Sequence, residues 1–249
     1  MAKHIEINSI NPQQRLINMA ADVLKKGGVI CCPTDTMYGI SCDIFNQKAV
    51  KRVHEIRHRP RQKPFSFMCF SLKDISQYAH VNSRAYRLLR RHLPGPYTMV
   101  LPGSKLVPKI MLTKQKTVGI RMPDSPICLA IIEQLGNPIL NTSALQENCD
   151  PPVDAFYAEE LFGNQVDLIV DGGTISPEPS TVVSLIGDEP EILREGKGDT
   201  APFLERTAYS GKKTGITLQK AGRFACPFAS FFNQHFLERL AHGEVQSFS

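Results

Sequence analysis

Small hydroxyl side chains stand where apolar runs of the chain give out: Thr34 and Thr36, Thr142 and Ser143, Ser180 and Thr181. Arginines accompany them, at Arg57, Arg59, Arg121 and Arg194. Hydroxyls and backbone amides at strand termini are good ligands for phosphate and carboxylate oxygens, and in open α/β sheets ligands collect beyond the carboxyl ends of strands. Taken singly, each Ser or Thr is also an ordinary cap or turn residue. Their recurrence beside cations is what points to a site for an anion.

The densest of these cations lie in residues 57–63, RHRPRQK, where four Lys and Arg fall within seven residues. Clustered guanidinium groups repel one another unless solvated or paired, and Arg suits bidentate capture of phosphate oxygens. A solvated basic loop and a phosphate or nucleic-acid patch both fit this run. Charge over the whole chain is just as uneven. Residues 51–121 hold 16 Lys and Arg against Glu55 and Asp74, a net +14, so the remainder carries −9 of the overall +5. Such asymmetry bears on partners more than on fold, and predicts a cationic surface in the middle of the chain.

Other chemistries are excluded by pattern. There is no GxxxxGK[ST] run, since residues 211–214 lack its first glycine, and no Rossmann fingerprint, HExxH or GxSxG. The seven His show no pairing at metal-ligand spacing, so no protein-held metal is expected. Seven cysteines, an odd number without CxxC pairs, read as reduced and mostly buried. No run approaches the roughly 20 apolar residues of a membrane span, and the first residues lack the apolar centre of a signal peptide. A cytoplasmic protein that does not engage membranes is expected.

The elements that must carry these residues alternate. Residues 4–7 read as a strand. A helix follows, with Asn11 as cap and Pro12 at its first position, and then a strand over 29–32 that opens at Pro33 onto a loop holding Thr34, Asp35, Thr36, Tyr38 and Gly39. Asn46 caps a second helix. Residues 65–70 form a strand, Ser71 and Ser83 start two helices, and strands follow at 97–101 and 117–122. Asp124, Ser125 and Pro126 open a buried helix that leaves as a strand over 139–143. A short helix over 158–162 precedes strands at 166–170, 181–185 and 191–194. This alternation predicts an α/β fold built on a mixed, twisted sheet, over residues 1–204. Residues 205–249 read as an appendage whose Phe228, Phe231, Phe232, Phe236 and Leu240 suit one face of a helix, docked on the parent domain or on a second subunit.

Seven segments together resemble the YrdC/YciO-like proteins, the family that includes the threonylcarbamoyl-adenylate synthases of tRNA modification. They are PTDTMYGI (33–40), RHRPRQKP (57–64), PGPYT (94–98), GIRMP (119–123), NTSAL (141–145), PSTVV (179–183) and ILREG (192–196). The resemblance runs from about residue 11 to 198. It implies an open, twisted α/β sheet with a concave basic cavity, in which threonine, bicarbonate and ATP become threonylcarbamoyl-AMP and pyrophosphate. Mg²⁺ would accompany the ATP. Chemically this suits the residues: cations neutralise the triphosphate as pyrophosphate leaves, and hydroxyls hold substrate oxygens.

Carried over by position, the family's Lys-x-Arg falls on Arg57 and Arg59, and the serine of its Ser-x-Asn on Ser143. These three are the implied catalytic residues. Thr34, Thr36, Tyr38, Lys63, Arg121, Thr142, Ser180, Thr181 and Arg194 are the implied substrate and nucleotide ligands. Arg57 stands where the family has Lys, and Leu145 where it has Asn; leucine cannot hydrogen-bond, and Arg does not replace Lys where geometry matters. The pattern is similar to the YciO branch. Two activities follow as expectations: a nucleotidyltransferase forming the precursor of threonylcarbamoyladenosine in tRNA, or a double-stranded RNA or nucleotide-binding protein that keeps the groove without the synthase chemistry.

Overall fold

Which faces of the strands are apolar decides where this molecule is filled and where it stays open. The computed structural model describes residues 1–58 and 65–204, and these belong to one unit, Met1–Thr207. In chain order the strands are β1 (Lys3–Glu6), β2 (Ile30–Pro33), β3 (Tyr38–Asp43), β4 (Ser66–Met68), β5 (Tyr97–Pro102), β6 (Thr117–Arg121), β7 (Ile139–Ser143), β8 (Leu168–Asp171), β9 (Thr181–Ser184) and β10 (Glu191–Arg194). They form an open, twisted mixed sheet in the order β1-β8-β2-β3-β7-β4-β6-β5-β9-β10. The helices are α1 (Gln14–Lys25), α2 (Gln47–Ile56), α3 (Leu72–Tyr78), α4 (Ser83–His92), α5 (Pro126–Leu135), α6 (Ala155–Phe162) and α7 (Ala201–Leu204).

One face is apolar across most of its width. Cys42, Leu140, Phe67, Ile120, Met99 and Val183 are successive register partners on β3, β7, β4, β6, β5 and β9, and all are fully buried. Val50 and Val53 of α2, Ile75 of α3, Ala85 and Leu89 of α4 and Phe162 of α6 close over that layer. On the opposite face the described helices cover one end. There α1 and α5 set Ile17, Ala20, Leu24, Ile127, Ile131 and Leu135 against Ile5, Ile30, Cys32, Leu168 and Val170 of β1, β2 and β8. The i, i+3, i+4, i+7 spacing of Ile17, Ala20, Ala21 and Leu24 gives α1 the stripe this requires.

Local signals set the ends of most helices. The side chains of Asn46, Asn82, Ser125 and Asp154 accept hydrogen bonds from the third helical amide of α2, α4, α5 and α6, and Ser71 with Asp74 makes a capping box on α3. Gly136, at φ 79°, ends α5 in the left-handed conformation that glycine adopts without strain. Four expectations need correcting. Asn11 does not cap α1: the Asn8 carbonyl Oδ1 accepts from the Ile10 and Asn11 amides at 3.0 and 2.8 Å, and this turn delays the helix to Gln14. Asn82, not Ser83, caps α4. Asp154 starts α6 three residues earlier than read. The loop expected after Thr36 is strand β3, hydrogen-bonded to both β2 and β7. The appendage helix lies outside the described residues.

Candidate functional site

On the face that α1 and α5 leave uncovered, alternate residues of five adjacent strands, β7, β4, β6, β5 and β9, are small or polar. Asn141 and Ser143, Ser66, Thr117 and Gly119, Thr98 and Val100, and Val182 face a cavity of about 510 Å³, within the range typical of small-molecule sites. One residue along each strand lies the apolar row described above. Period-2 alternation therefore places a hydrocarbon layer under one side of the sheet and a hydrogen-bonding floor on the other. The rim adds Lys114, Gln115 and Arg194. Among the described residues the lining holds Lys114, Arg121 and Arg194 and no carboxylate.

Two close approaches keep the floor low. A Cβ at Gly39 of β3 would lie 2.1 Å from Asn141 Oδ1, so glycine is what lets that amide lie flat and accept from Ser41 Oγ at 2.9 Å. A Cβ at Gly119 would sit 3.2 Å from Thr98 Cγ2 and 3.3 Å from Ser66 Cβ. At the β9 edge, Thr98 Oγ1 and Ser180 Oγ share a hydrogen bond of 2.8 Å. Arg194 donates to the Ser180 carbonyl from both Nε and Nη2, at 3.2 and 2.7 Å.

Arg121 closes the other end of the cavity. Its Nη2 donates to Asp35 Oδ1 at 2.7 Å, with the two side chains only 6% and 9% exposed. Burial pulls the Arg121 guanidinium below its ordinary range while Asp35 beside it pulls the other way. Asp35 stands in the turn between β2 and β3, which is fastened from several sides. Lys197 Nζ donates to the Asp35 carbonyl at 2.6 Å, the Glu178 amide to the Thr36 carbonyl at 3.0 Å, and Cys128 Sγ to the Pro33 carbonyl at 3.1 Å. The turn thus holds a carboxylate behind the buried arginine.

Of the residues expected from the sequence, Arg121, Thr142, Ser143, Ser180 and Arg194 line the cavity. Thr34 and Thr36 do not; they build the turn. Thr34 donates its single O–H to the Met37 carbonyl at 2.8 Å and accepts from the amides of Thr36 and Met37, so Thr36 is the donor in their 3.0 Å hydroxyl pair. Tyr38 is fully buried in the apolar layer and donates to the Gly173 carbonyl at 2.9 Å. Thr181 is equally buried and donates to the Gly198 carbonyl at 2.6 Å. Arg57 is the C-cap residue of α2, half-buried and not in the described lining. Arg59 and Lys63 lie outside the described residues; Phe65, which follows that basic stretch, lines the cavity. Sequence reasoning missed Ser66, Thr98, Thr117, Gly119 and Asn141. The available signal was alternation, since each sits beside a core residue within a strand.

The site also lies elsewhere than the strand-end rule expects. It spreads over a sheet face, because no described helix covers that part, rather than beyond the strands' carboxyl ends. Arginine and lysine around a floor of hydroxyl and amide groups can hold a multiply charged anion and orient its oxygens.

Comparison with known proteins matches this architecture. The Sua5/YciO/YrdC family model, which carries the description "telomere recombination", matches residues 22–196. The chain is 41% identical over 206 residues to YciO of Escherichia coli K12, across 82% of this chain and all of that protein. It is 34% identical over 193 residues to the threonylcarbamoyl-AMP synthase of Pyrococcus abyssi, across 75% of this chain and 57% of that one. Among solved structures, the crystal structure of E. coli YciO superposes with a TM-score of 0.78 at 41% identity, over 82% of this chain and 100% of that one. P. abyssi Sua5 complexed with L-threonine superposes with a TM-score of 0.73 at 32% identity, over 78% of this chain and 57% of the other.

Proposed function

The chain belongs to the Sua5/YciO/YrdC family, and we propose that its open half-sheet is a chamber for forming an aminoacyl-carbamoyl adenylate from threonine, bicarbonate and ATP. The observation that carries this reading is the lining: three cations over a floor of hydroxyls and one amide, without a carboxylate among the described residues, in a space of about 510 Å³. The threonine amine combines with bicarbonate to give a carbamate and water. A carbamate oxygen then bonds to the α-phosphorus as the bond to the bridging β-phosphate oxygen breaks, giving threonylcarbamoyl-AMP and pyrophosphate. Such a displacement needs positioned charge more than covalent chemistry from the protein. Lys114 and Arg194 at the rim neutralise the departing pyrophosphate, and Ser66, Thr98, Ser143 and Ser180 hold phosphate oxygens. Arg121, fixed by Asp35, orients the amino acid's carboxylate. The product supplies the threonylcarbamoyl group for adenosine in tRNA.

Magnesium tests differently against these residues. A lining without described carboxylates does not suit a protein-held Mg²⁺, which prefers oxygen ligands with at least one carboxylate. Mg²⁺ enters with the triphosphate as part of the substrate, and no step is assigned to it.

Leu145 supports the second reading, a nucleotide-binding protein without the synthase step. It is half-buried just beyond β7, its amide donates to the Ser143 carbonyl at 2.9 Å, and its apolar side chain stands at the position where the resemblance implies an asparagine. Pyrophosphate release measured with threonine, bicarbonate and ATP, and with each omitted in turn, separates the two. Release that requires all three is expected. ATP binding without any release would establish the second reading.

A further inference from the structure

We propose that the outer face of α4, on the side of the sheet away from the cavity, is a docking surface for the phosphate backbone of RNA. Residues 75–123 contain nine Lys and Arg and no acidic residue. Of these nine only Lys114 and Arg121 line the cavity. Three others, Arg87, Arg90 and Arg91, are exposed on one helix, and none of the three makes an ion pair among the described residues; only Arg84 of α4 does, with Glu189. Ala85 and Leu89 turn the other side of α4 into the core layer that holds Met99 and Leu101, whereas Thr98 and Val100 of the same strand face the cavity. The sheet itself separates the two surfaces.

The arrangement on α4 is costly for a merely solvated helix. Arg87 stands three residues from Arg84 and Arg90 and four from Arg91, the spacings at which like charges repel across a helix surface. Arg90 and Arg91 gain from the helix dipole at the last turn, but Arg87, in the middle of the helix, does not. A ligand that carries a row of negative charge reverses the sign of every one of these contacts. Arginine rather than lysine favours phosphate, through its planar fork of donors. Tyr86, 44% exposed beside Arg87 and Arg90, offers a ring for stacking or sugar contact. Arg87 and Tyr86 also wall a groove of about 380 Å³ between the end of α3 and the start of α4. Ser104 extends the surface by donating to the Gln77 carbonyl at 2.6 Å, which brings exposed Lys105 beside α3. A membrane is the poorer partner, because α4 spends its apolar face on the core and leaves no hydrophobic stripe to insert.

The test uses the full chain and a fluorescein-labelled RNA duplex, with affinity read by anisotropy at increasing KCl. The wild-type protein is expected to bind with a steep salt dependence. The triple variant Arg87→Ala, Arg90→Ala, Arg91→Ala is expected to bind at least tenfold more weakly, with a log–log salt slope shallower by roughly 2 to 3, one released counterion per lost phosphate contact. Its melting temperature and pyrophosphate release should match the wild type, since all three side chains are exposed and outside the cavity. Arg194→Ala should retain RNA affinity. The proposal is overturned if the triple variant binds RNA like the wild type, if Arg194→Ala loses RNA instead, or if the wild type binds phosphatidylserine vesicles but not RNA. Because pyrophosphate release is read separately, failure here leaves the reading of the cavity untouched, and the reverse holds as well.

Discussion

The face of the sheet that carries the cavity has two halves that obey opposite rules. Over β1, β8 and β2 it presents Ile5, Ile30, Cys32, Leu168 and Val170, and α1 and α5 seal it. Over β7, β4, β6, β5 and β9 it presents Asn141, Ser66, Gly119, Thr98 and Val182 around the cavity, and only Ile139 of β7 and Met68 of β4, among the described residues of these five strands, join the layer under α1 and α5. Most of these strands carry apolar residues on their other side, so the difference is written mainly in alternate positions. Where the residues on this face are apolar, α1 and α5 pack on them; where they are small or polar, the floor stays open. Among the described residues, Arg121 is the one buried charged side chain that lines the open half, and Asp35 reaches it from a neighbouring turn.

The largest effect that could break this contrast comes from that pair. Asp35→Ala leaves a buried guanidinium without its carboxylate, which costs about 3 to 5 kcal/mol of stability and also frees Arg121 from its place in the cavity. Urea unfolding and ATP titration of the same variant should both deteriorate; a variant as stable as the wild type would mean the pair contributes nothing. On the sealed half, Leu24→Ala opens a hole between α1, α5 and the sheet and should cost about 2 to 5 kcal/mol, while the protein that remains folded binds ATP normally. A parallel loss of affinity would show that the two halves are not independent.

Next in size is the double reversion Arg57→Lys with Leu145→Asn. A restored hydrogen bond to a charged group contributes roughly 1.5 to 3 kcal/mol, or about one to two decades in the rate of pyrophosphate release. No gain, with ATP binding intact, would show that these positions do not limit the reaction. The smallest effect concerns pH. Burial pushes the Cys31 thiol up from its ordinary 9.0 to about 12, and moves Cys42 and Cys69 in the same direction. The folded state therefore holds protons that the unfolded chain has already released. This contribution to stability is complete below pH 9.0 and declines as pH rises from there toward about 12. Urea midpoints at neutral pH and at about pH 10 should show the decline; a midpoint that rises would contradict it.

Much of the fold was legible because caps and apolar periodicity act locally. Asn46, Ser71 and Ser125 mark helix starts where their short polar side chains can reach a free amide, and the apolar run 139–143 is strand β7 as read. The strand β3 was not legible, since Gly39 and Ser41 look like loop residues until Asn141 of β7 is laid against them. The same blindness hid half of the site. Ser66 and Thr98 read as interruptions of apolar strands, but they are the cavity side of those strands. Thr34, Tyr38 and Thr181 misled in the opposite sense: their hydroxyls are consumed by nearby carbonyls at Met37, Gly173 and Gly198, contacts that only the folded chain reveals. Several segments marked by the resemblance contribute to the cavity lining, and the pleat decided which residues in them face it.

Nucleotide binding by the open half is the property most directly open to measurement. Isothermal titration of ATP into the wild type and into Arg194→Ala tests it, because Arg194 lines the rim and is exposed, and its loss removes hydrogen bonds to the Ser180 carbonyl at a cost of roughly 1.5 to 3 kcal/mol, too little to unfold the protein. Arg194→Ala is expected to bind ATP at least about tenfold more weakly while remaining folded, the size of one lost charge-assisted contact. Equal affinity in the two proteins would place the nucleotide elsewhere and contradict this expectation.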